Sequence, residues 1–329
     1  MKPYDKALSI ILLLTGLFCS CSSSKKDYLE LKLAYVMSTG GASHEGALKF
    51  AELVKERSGG KVQVKIYPNA QLGSDRELIE GLELRAVDMI IVGPSLIGWY
   101  APEYGVMEVP FLFRDYEHLD KVLYGEIGKE IETSIASKRK LHFLAYFRRG
   151  PRYLTTTNKP VSTPAELKGL KLRVPELPVY IEAWKMFGAN PTPITYSDMF
   201  MALKQGIVDG QENPLETIFT SHLYETQKYA MDTKHLLSYY IVAVGDNFYK
   251  KFDPDTQALL TTAIKEAADY QNGLMDQFEE KYKQILTEHR VEIIPVDRNA
   301  FEDIALNDIA KALEKRLAPD IIQRISNVK

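Results

Sequence analysis

The sequence is poor in cysteine. Only two cysteines occur among its 329 residues, Cys19 and Cys21, and both lie near the amino terminus. The chain that follows therefore cannot form an internal disulfide, and it offers no thiol as a catalytic nucleophile. Cysteine chemistry is excluded from everything beyond residue 21.

The sequence also lacks the short motifs that identify common enzyme classes. It has no GxSxG turn, no phosphate-binding loop and no dinucleotide-binding glycine pattern. His44-Glu45 is not followed by the second histidine of a zinc-protease helix, and the six histidines show no metal-binding spacing. We therefore predict no enzymatic activity, no cofactor and no metal. Any catalytic site would have to rest on carboxylates.

A strong charge of one sign is absent as well. The formal net charge is −3, and the chain has no basic tract and no zinc-finger spacing. A nucleic-acid partner is therefore not expected. The composition, with 45% hydrophobic and 26% charged residues, is that of a soluble globular protein with room for two domains.

The sequence has only one long apolar run, at its amino terminus. Lys2 and Lys6 flank the start of a mostly apolar stretch of twelve residues, 7–18. This length is too short to cross a bilayer but fits the core of a signal peptide, with a buried helix as the alternative. We predict a lipoprotein-type signal peptide over residues 1–21, with Cys21 as the lipidated residue, and a tether over residues 22–28. The protein is then exported, and it contacts a membrane only through this anchor.

The hydrophobic pattern predicts an α/β fold. Strand-like and helical segments alternate from residue 29 to residue 94, which favours a parallel sheet covered by helices on both sides. Ser74 and Glu77 have the spacing of a capping box at one of the helix starts. A second α/β unit begins with the strand-like residues 140–150, and it contains a helix start at Thr163.

Two later segments have the length to join these units. Residues 235–245 are predicted to form a strand that bridges both, and a helical pattern extends from Asp253-Pro254 to about Glu288. A helix of that length either breaks or spans two domains. A final helical stretch is predicted from Ala300 to about Leu317.

Arg173 is the most informative single residue. In the run "KLRVP" it lies at the end of a short predicted strand, off the apolar face made by Leu172 and Val174. Ligands of open α/β sheets bind at the carboxyl ends of the strands, where a guanidinium can hold a carboxylate through two hydrogen bonds. The alternative is a surface salt bridge, for instance with Glu176.

Other polar side chains are clustered at the start and in the middle of the second unit. Arg148, Arg149 and Arg152 follow its first predicted strand, where they form either a solvated face or a set of cationic donors in a cleft. The segment "VDGQENP" carries a second cluster, whose amides and carboxylate suit sugar hydroxyls. Its members are Gln211, Glu212 and Asn213. A solvated turn is the alternative for this segment.

Several longer motifs give the chain a family resemblance. The runs "LKGLKLRVP", "GANPTP", "VDGQENP" and "YPNAQLGSDRELIEGL" resemble the solute-binding proteins of tripartite ATP-independent periplasmic (TRAP) transporters. The resemblance covers residues 28–320. It implies a two-lobed periplasmic-binding-protein-like fold, in which each lobe is a sheet flanked by helices. Hinge strands and a long helix connect the lobes. In this chain, lobe I is predicted to comprise residues 29–149 and 240–280, and lobe II residues 150–239 and 281–329.

The resemblance also implies a set of ligand-binding positions. Arg173 matches the arginine that pairs with the ligand carboxylate, and Arg152 matches a second arginine. Further matched or expected cleft residues are Asn213, Asp75, Tyr196, His44, Gln211, Glu212, Glu176 and Trp99.

The resemblance further implies transport rather than catalysis. The expected ligand is a small organic acid, delivered by a monomeric protein to membrane permease subunits. Gly93 stands where sialic-acid-binding members carry glutamate, which argues against sialate, and the runs "RGPRYLTTTNKP" and "RVPELPVYIEAW" look most like hexuronate-binding members. A C4-dicarboxylate or keto-acid binder, a ligand-sensing subunit of a receptor kinase and an enzyme on the same fold are the alternatives.

Overall fold

The computed structural model describes residues 28–329, apart from the side chain of Asp276. The predicted signal peptide with Cys21, and the predicted tether up to residue 27, lie outside the described residues. Within residues 28–329, no helix combines the length and the apolar character needed to cross a membrane.

The first sheet begins with the predicted alternation of strands and helices. The strand β1 pairs in parallel with both β2 and β3, which confirms the parallel arrangement predicted for this part of the chain. The capping box at Ser74 is formed, since the Glu77 carboxylate accepts a hydrogen bond from the Ser74 backbone N–H at 2.8 Å. The elements are β1 (Leu29–Tyr35), α1 (Ala42–Arg57), β2 (Val62–Tyr67), α2 (Asp75–Leu84) and β3 (Met89–Val92).

The segment between residues 95 and 139 is helical, although no sequence-based prediction covered it. Asp115 begins one of its helices, because its carboxylate accepts a hydrogen bond from the backbone N–H of His118 at 2.7 Å. The next strand then returns the chain to the first sheet. The elements are α3 (Ser95–Tyr100), α4 (Tyr116–Leu123), α5 (Glu126–Arg139) and β4 (Leu141–Arg148).

The second sheet is built from the next part of the chain. The sheet is mixed: β5 runs antiparallel to its neighbours β8 and β9, whereas β8 runs parallel to β6. The helix predicted after Thr163 is only a single 3-10 turn, Pro164–Leu167. The elements are β5 (Arg152–Thr156), β6 (Lys171–Val174), α6 (Pro178–Met186), β7 (Asn190–Pro193), α7 (Met199–Lys204), β8 (Gly210–Pro214), α8 (Leu215–Thr220) and β9 (Tyr229–Met231).

The chain then returns to the first sheet through β10 (Tyr239–Gly245), which runs antiparallel to both β3 and β4. The first sheet is therefore mixed rather than wholly parallel, with the order β2-β1-β3-β10-β4. The strand predicted for residues 235–245 begins only at Tyr239. The preceding residues still join the sheets, because the backbone N–H of Arg152 donates to the Leu236 carbonyl at 3.1 Å.

The long predicted helix is continuous. After the short α9 (Asp246–Tyr249), α10 (Pro254–Glu288) packs on α1 and β4 of the first lobe and on α8 of the second. It begins where the Asp253 carboxylate accepts from the Thr256 backbone N–H at 2.9 Å. The helix therefore spans both lobes, which was one of the two alternatives for this pattern.

The carboxyl-terminal part contacts both lobes. After β11 (Glu292–Ile294), which pairs with β9, a helical stretch comprises α11 (Arg298–Ile304), a π-helical turn (Ala305–Ile309) and α12 (Ala310–Glu314). The last helix is α13 (Ile321–Asn327). Residues 281–329 were predicted to belong to lobe II, and α13 departs from this prediction. Its Ile325 carbonyl bonds the His118 side chain at 2.9 Å, and Arg324 pairs with Glu130, so it packs on lobe I.

Candidate functional site

A cavity lies between the two sheets and is bounded by both lobes. Val36 and Gly93 come directly after β1 and β3, and they line it from the first lobe. Arg173 and Asn213 are near the carboxyl ends of the parallel strands β6 and β8, and they line it from the second. The cavity therefore occupies the position where open α/β sheets bind ligands.

Arg173 lines this cavity as a buried cation without a counter-charge. The residue is only 3% exposed, and its Nε donates a hydrogen bond to the Ile194 carbonyl at 2.9 Å. Within the described residues, no carboxylate lies at ion-pair distance from its guanidinium, and Glu176 is exposed at the cavity rim. Burial lowers the pKa of Arg173 to about 10. The terminal nitrogens are thus free to bind an anion.

Arg152 lines the same cavity but is already paired. Its Nη2 donates to Oε1 of Glu212 at 2.7 Å, and its Nε contacts the other carboxylate oxygen. His235 bonds that second oxygen at 3.1 Å. Burial acts to raise the pKa of Glu212, but the Arg152 charge and these hydrogen bonds bring it well below its usual value. Arg152 is therefore held in place by a fully buried ion pair.

Arg149 is a third cavity-lining arginine. It was predicted only as a member of the arginine cluster and not as a ligand-binding residue. Its Nη2 donates to Asn213 Oδ1 at 3.2 Å, and its guanidinium carbon lies 4.4 Å from the Tyr240 ring centroid. The buried Nε has no hydrogen-bond partner. Its neighbour Arg148 is instead paired with Asp120. The only sequence signal for Arg149 was its proximity to Arg152.

Asp75 is a partly buried acid of the cavity wall. It is the first residue of α2, and its Oδ1 is buried without a hydrogen-bond partner. Burial raises the pKa of Asp75 to about 6, while the charges of Arg149 and Arg173 act in the opposite direction. A carboxylate with an unoccupied oxygen can accept a hydrogen bond from a ligand hydroxyl.

Three further predicted residues lie on the cavity wall. Tyr196 bonds its hydroxyl to the Ser221 hydroxyl at 2.6 Å, and Trp99 donates from Nε1 to the Glu176 carbonyl at 3.1 Å. The second bond connects the lobes at the rim, since Trp99 belongs to α3 and Glu176 follows β6. Arg76 covers the Trp99 ring at 4.4 Å.

The structure does not bring the other three predicted residues to the cavity wall. Glu212 and Gln211 are fully buried behind it, and Gln211 accepts a hydrogen bond from Asn213 Nδ2 at 2.6 Å. His44 bonds the Tyr35 hydroxyl at 2.6 Å, and burial lowers its pKa. Each of these three side chains is bonded to another residue and does not line the cavity.

Sequence reasoning missed two aromatic residues of the wall. Tyr240 on β10 stacks against Arg149, as described above, and Tyr180 on α6 donates its hydroxyl to Glu108 at 2.6 Å. Burial raises the pKa of Glu108 to about 7. Neither tyrosine carried a local signal, because each reaches the cavity through long-range packing of its element.

A two-lobed α/β protein with a cation-lined cavity between its lobes has the architecture of a solute-binding protein. The chain belongs to the bacterial extracellular solute-binding protein family 7, whose family model matches residues 33–316. The predicted TRAP family and two-lobed fold are confirmed. The chain is a periplasmic solute-binding protein of a TRAP transporter and not an enzyme.

Individual relatives cover nearly the whole chain. The 2,3-diketo-L-gulonate-binding periplasmic protein of Escherichia coli is 31% identical, over 98% of this chain and 99% of that protein. A TRAP solute-binding protein from Roseobacter denitrificans, solved with L-galactonate, is 32% identical with a TM-score of 0.85, covering 92% and 99%. Another from Sulfurospirillum deleyianum, solved with succinate, is 30% identical with a TM-score of 0.87, also covering 92% and 99%.

Proposed function

We propose that this protein captures an organic acid by its carboxylate, which Arg173 binds through two parallel hydrogen bonds. The observation that carries the proposal is a buried guanidinium on the cavity wall with no carboxylate partner among the described residues. A buried charge is costly unless it is paired, and a planar guanidinium matches a carboxylate in shape and charge. A ligand carboxylate supplies the missing counter-charge.

The proposed ligand is an acidic sugar, such as a hexuronate or an aldonate. The wall offers polar groups that can bond hydroxyls, including the free oxygen of Asp75, the amide of Asn213 and the hydroxyl of Tyr196. The relatives support this class, since solved family members hold L-galactonate and D-glucuronate.

A C4-dicarboxylate is the second candidate. Arg149 also lacks a carboxylate partner within the described residues, so the cavity contains two cations that could each meet one end of a diacid. A relative solved with succinate and a C4-dicarboxylate-binding protein of Rhodobacter capsulatus belong to the same family. A negative charge on Asp75 would disfavour the second carboxylate of such a diacid.

The protein is proposed to act as a monomer that closes its lobes on the ligand and then delivers it to membrane permease subunits. Contacts from both lobes to one ligand favour the closed form by as much as they differ between the open and closed states.

We further propose that Cys21 carries a lipid anchor after removal of residues 1–20. Mass spectrometry of the membrane-extracted protein tests this: an acylated amino-terminal Cys21 is expected, and an unmodified amino terminus would contradict it.

Calorimetric titration tests the role of Arg173. We expect Arg173→Ala to abolish binding of whichever of L-galactonate, D-glucuronate and succinate the wild-type protein binds. Arg173→Lys should weaken that binding by about a hundredfold, since lysine cannot form the two parallel bonds. Lys171→Ala is the matched control, because Lys171 is exposed on the same strand and carries the same charge. Affinity in Arg173→Ala close to that of the control would refute the proposed function.

A further inference from the structure

The cavity wall contains an unequal number of buried cations and anions. Arg149, Arg152 and Arg173 are each less than a tenth exposed. The described wall residues include two acids: Asp75, which is partly buried and has a fully buried Oδ1, and Glu176, which is exposed at the rim. The ion pair with Glu212 already neutralises Arg152. Two guanidinium charges therefore face one carboxylate, which leaves one positive charge for the ligand to balance.

Nearby acids do not change this count. Glu108 and Glu216 lie outside the cavity wall, and each has its own partner: Glu108 accepts from the Tyr180 hydroxyl at 2.6 Å, and Glu216 accepts from the Ala42 backbone N–H at 3.0 Å. Arg76 and Glu176, the two exposed charged residues of the rim, have opposite signs and are screened by water.

Asp75 also restricts the chemistry of the ligand directly. Its buried Oδ1 has no partner and requires a hydrogen-bond donor. A ligand hydroxyl can donate to this oxygen, whereas an ionised carboxylate can only accept and carries the same charge. A second ligand carboxylate in the cavity would therefore meet a like charge in a buried setting, and it would leave the site with an excess of negative charge.

We propose that Asp75 sets the ligand's charge: the cavity accepts a hydroxylated acid with one carboxylate and rejects the corresponding diacid. This inference rests on the proposed function, because it assumes that Arg173 holds the first carboxylate. It adds that the choice between a sugar acid and a diacid depends on one aspartate at the start of α2. Removal of its charge would leave two unbalanced guanidinium groups, which a diacid matches.

Matched pairs of ligands test this inference by calorimetry on the purified protein. L-galactonate and galactarate differ only in a terminal CH₂OH in place of a carboxylate, and D-gluconate and D-glucarate provide a second such pair. The wild-type protein is expected to bind the monoacid of the recognised pair at least about tenfold more tightly, because the second carboxylate of the diacid would lie near the like charge of Asp75. In Asp75→Asn, this ratio is expected to fall by at least about tenfold or to invert.

The matched control is Glu80→Gln. Glu80 is exposed on the same helix, outside the cavity wall, and this change removes the same single charge. We expect it to leave the ratio unchanged. Thermal unfolding verifies that each variant is folded, and Asp75→Ser removes the same charge if the asparagine variant does not fold.

Two results would overturn the inference while the proposed function stands. One is a diacid that the wild-type protein binds as tightly as its matched monoacid. The other is a ratio in Asp75→Asn equal to that in Glu80→Gln, with binding still abolished by Arg173→Ala. If the wild-type protein bound no carboxylic acid at all, both the inference and the proposed function would fail.

Discussion

Arg152 and Arg173 lie on the same wall of one cavity and are almost equally buried, yet only one of them has a counter-charge within the described chain. Arg152 is hydrogen-bonded to the Glu212 carboxylate, and His235 bonds the same carboxylate. Arg173 is bonded only to a backbone carbonyl, that of Ile194. The two regions therefore use the same side chain for different purposes.

We propose that this difference separates a structural cation, Arg152, from a ligand-binding cation, Arg173. Burial acts to lower the pKa of both arginines, but the Glu212 charge more than reverses this effect for Arg152, whereas the pKa of Arg173 falls to about 10. The Arg152 pair is complete without a ligand, so it can orient the wall. We propose that a bound acid balances the charge of Arg173, so that the burial of this side chain strengthens ligand binding rather than the fold.

The largest effect is expected from removal of the structural counter-charge. Glu212→Ala should lower the free energy of unfolding by about 3–5 kcal/mol, because it leaves a buried guanidinium unpaired. Chemical denaturation measures this loss. The double variant Arg152→Met with Glu212→Leu should recover most of the lost stability, since no charge is then buried. A loss below about 1 kcal/mol in Glu212→Ala would show that the pair does not stabilise the fold.

An intermediate effect is expected from pH. The folded-state pKa of Glu212 is lowered to about 2 from an ordinary value of 4.5, so the unfolded chain binds more protons between these values. The stability that Glu212 contributes is therefore complete above about pH 4.5 and is lost as the pH falls towards 2. Glu212→Gln should remove this part of the dependence in denaturation curves between pH 2 and 5. Parallel curves for the wild type and the variant would contradict the assignment.

The smallest effect is expected from the binding cation in the absence of ligand. Arg173→Ala should change the free energy of unfolding of the ligand-free protein by no more than about 1 kcal/mol, because no ion pair is broken. The same variant should lose the increase in melting temperature that a saturating sugar acid gives the wild type. A loss of stability as large as that of Glu212→Ala would remove the distinction between the two arginines.

Local signals in the sequence predicted the parts of the fold that depend on neighbouring residues. The Ser74 capping box and the parallel β1–β3 arrangement follow from side-chain spacing and from buried apolar runs. The antiparallel entry of β10 between β3 and β4 is a pairing between distant segments, so no local pattern specifies it. For the same reason, α13 was predicted to belong to the second lobe, although it packs on the first.

The site shows the same division. The position of Arg173 at a strand end predicted a cavity-facing cation. The sequence also allowed a salt bridge to Glu176, and only the folded chain shows that this bridge does not form. Strand alternation explains why neighbours separate: Asn213 lines the cavity while Glu212 lies behind it. Arg149 follows the last residue of β4, and its hydrogen bond to Asn213 joins distant segments, so no local pattern specifies it.

A crystal structure with a bound sugar acid is the most direct test of the distinction between the two arginines. The account predicts that both carboxylate oxygens lie about 2.7–2.9 Å from nitrogens of Arg173, as in bidentate pairs, with the Arg152–Glu212 pair unchanged. A ligand carboxylate bound instead to Arg152, with Glu212 displaced and Arg173 free of the ligand, would contradict it.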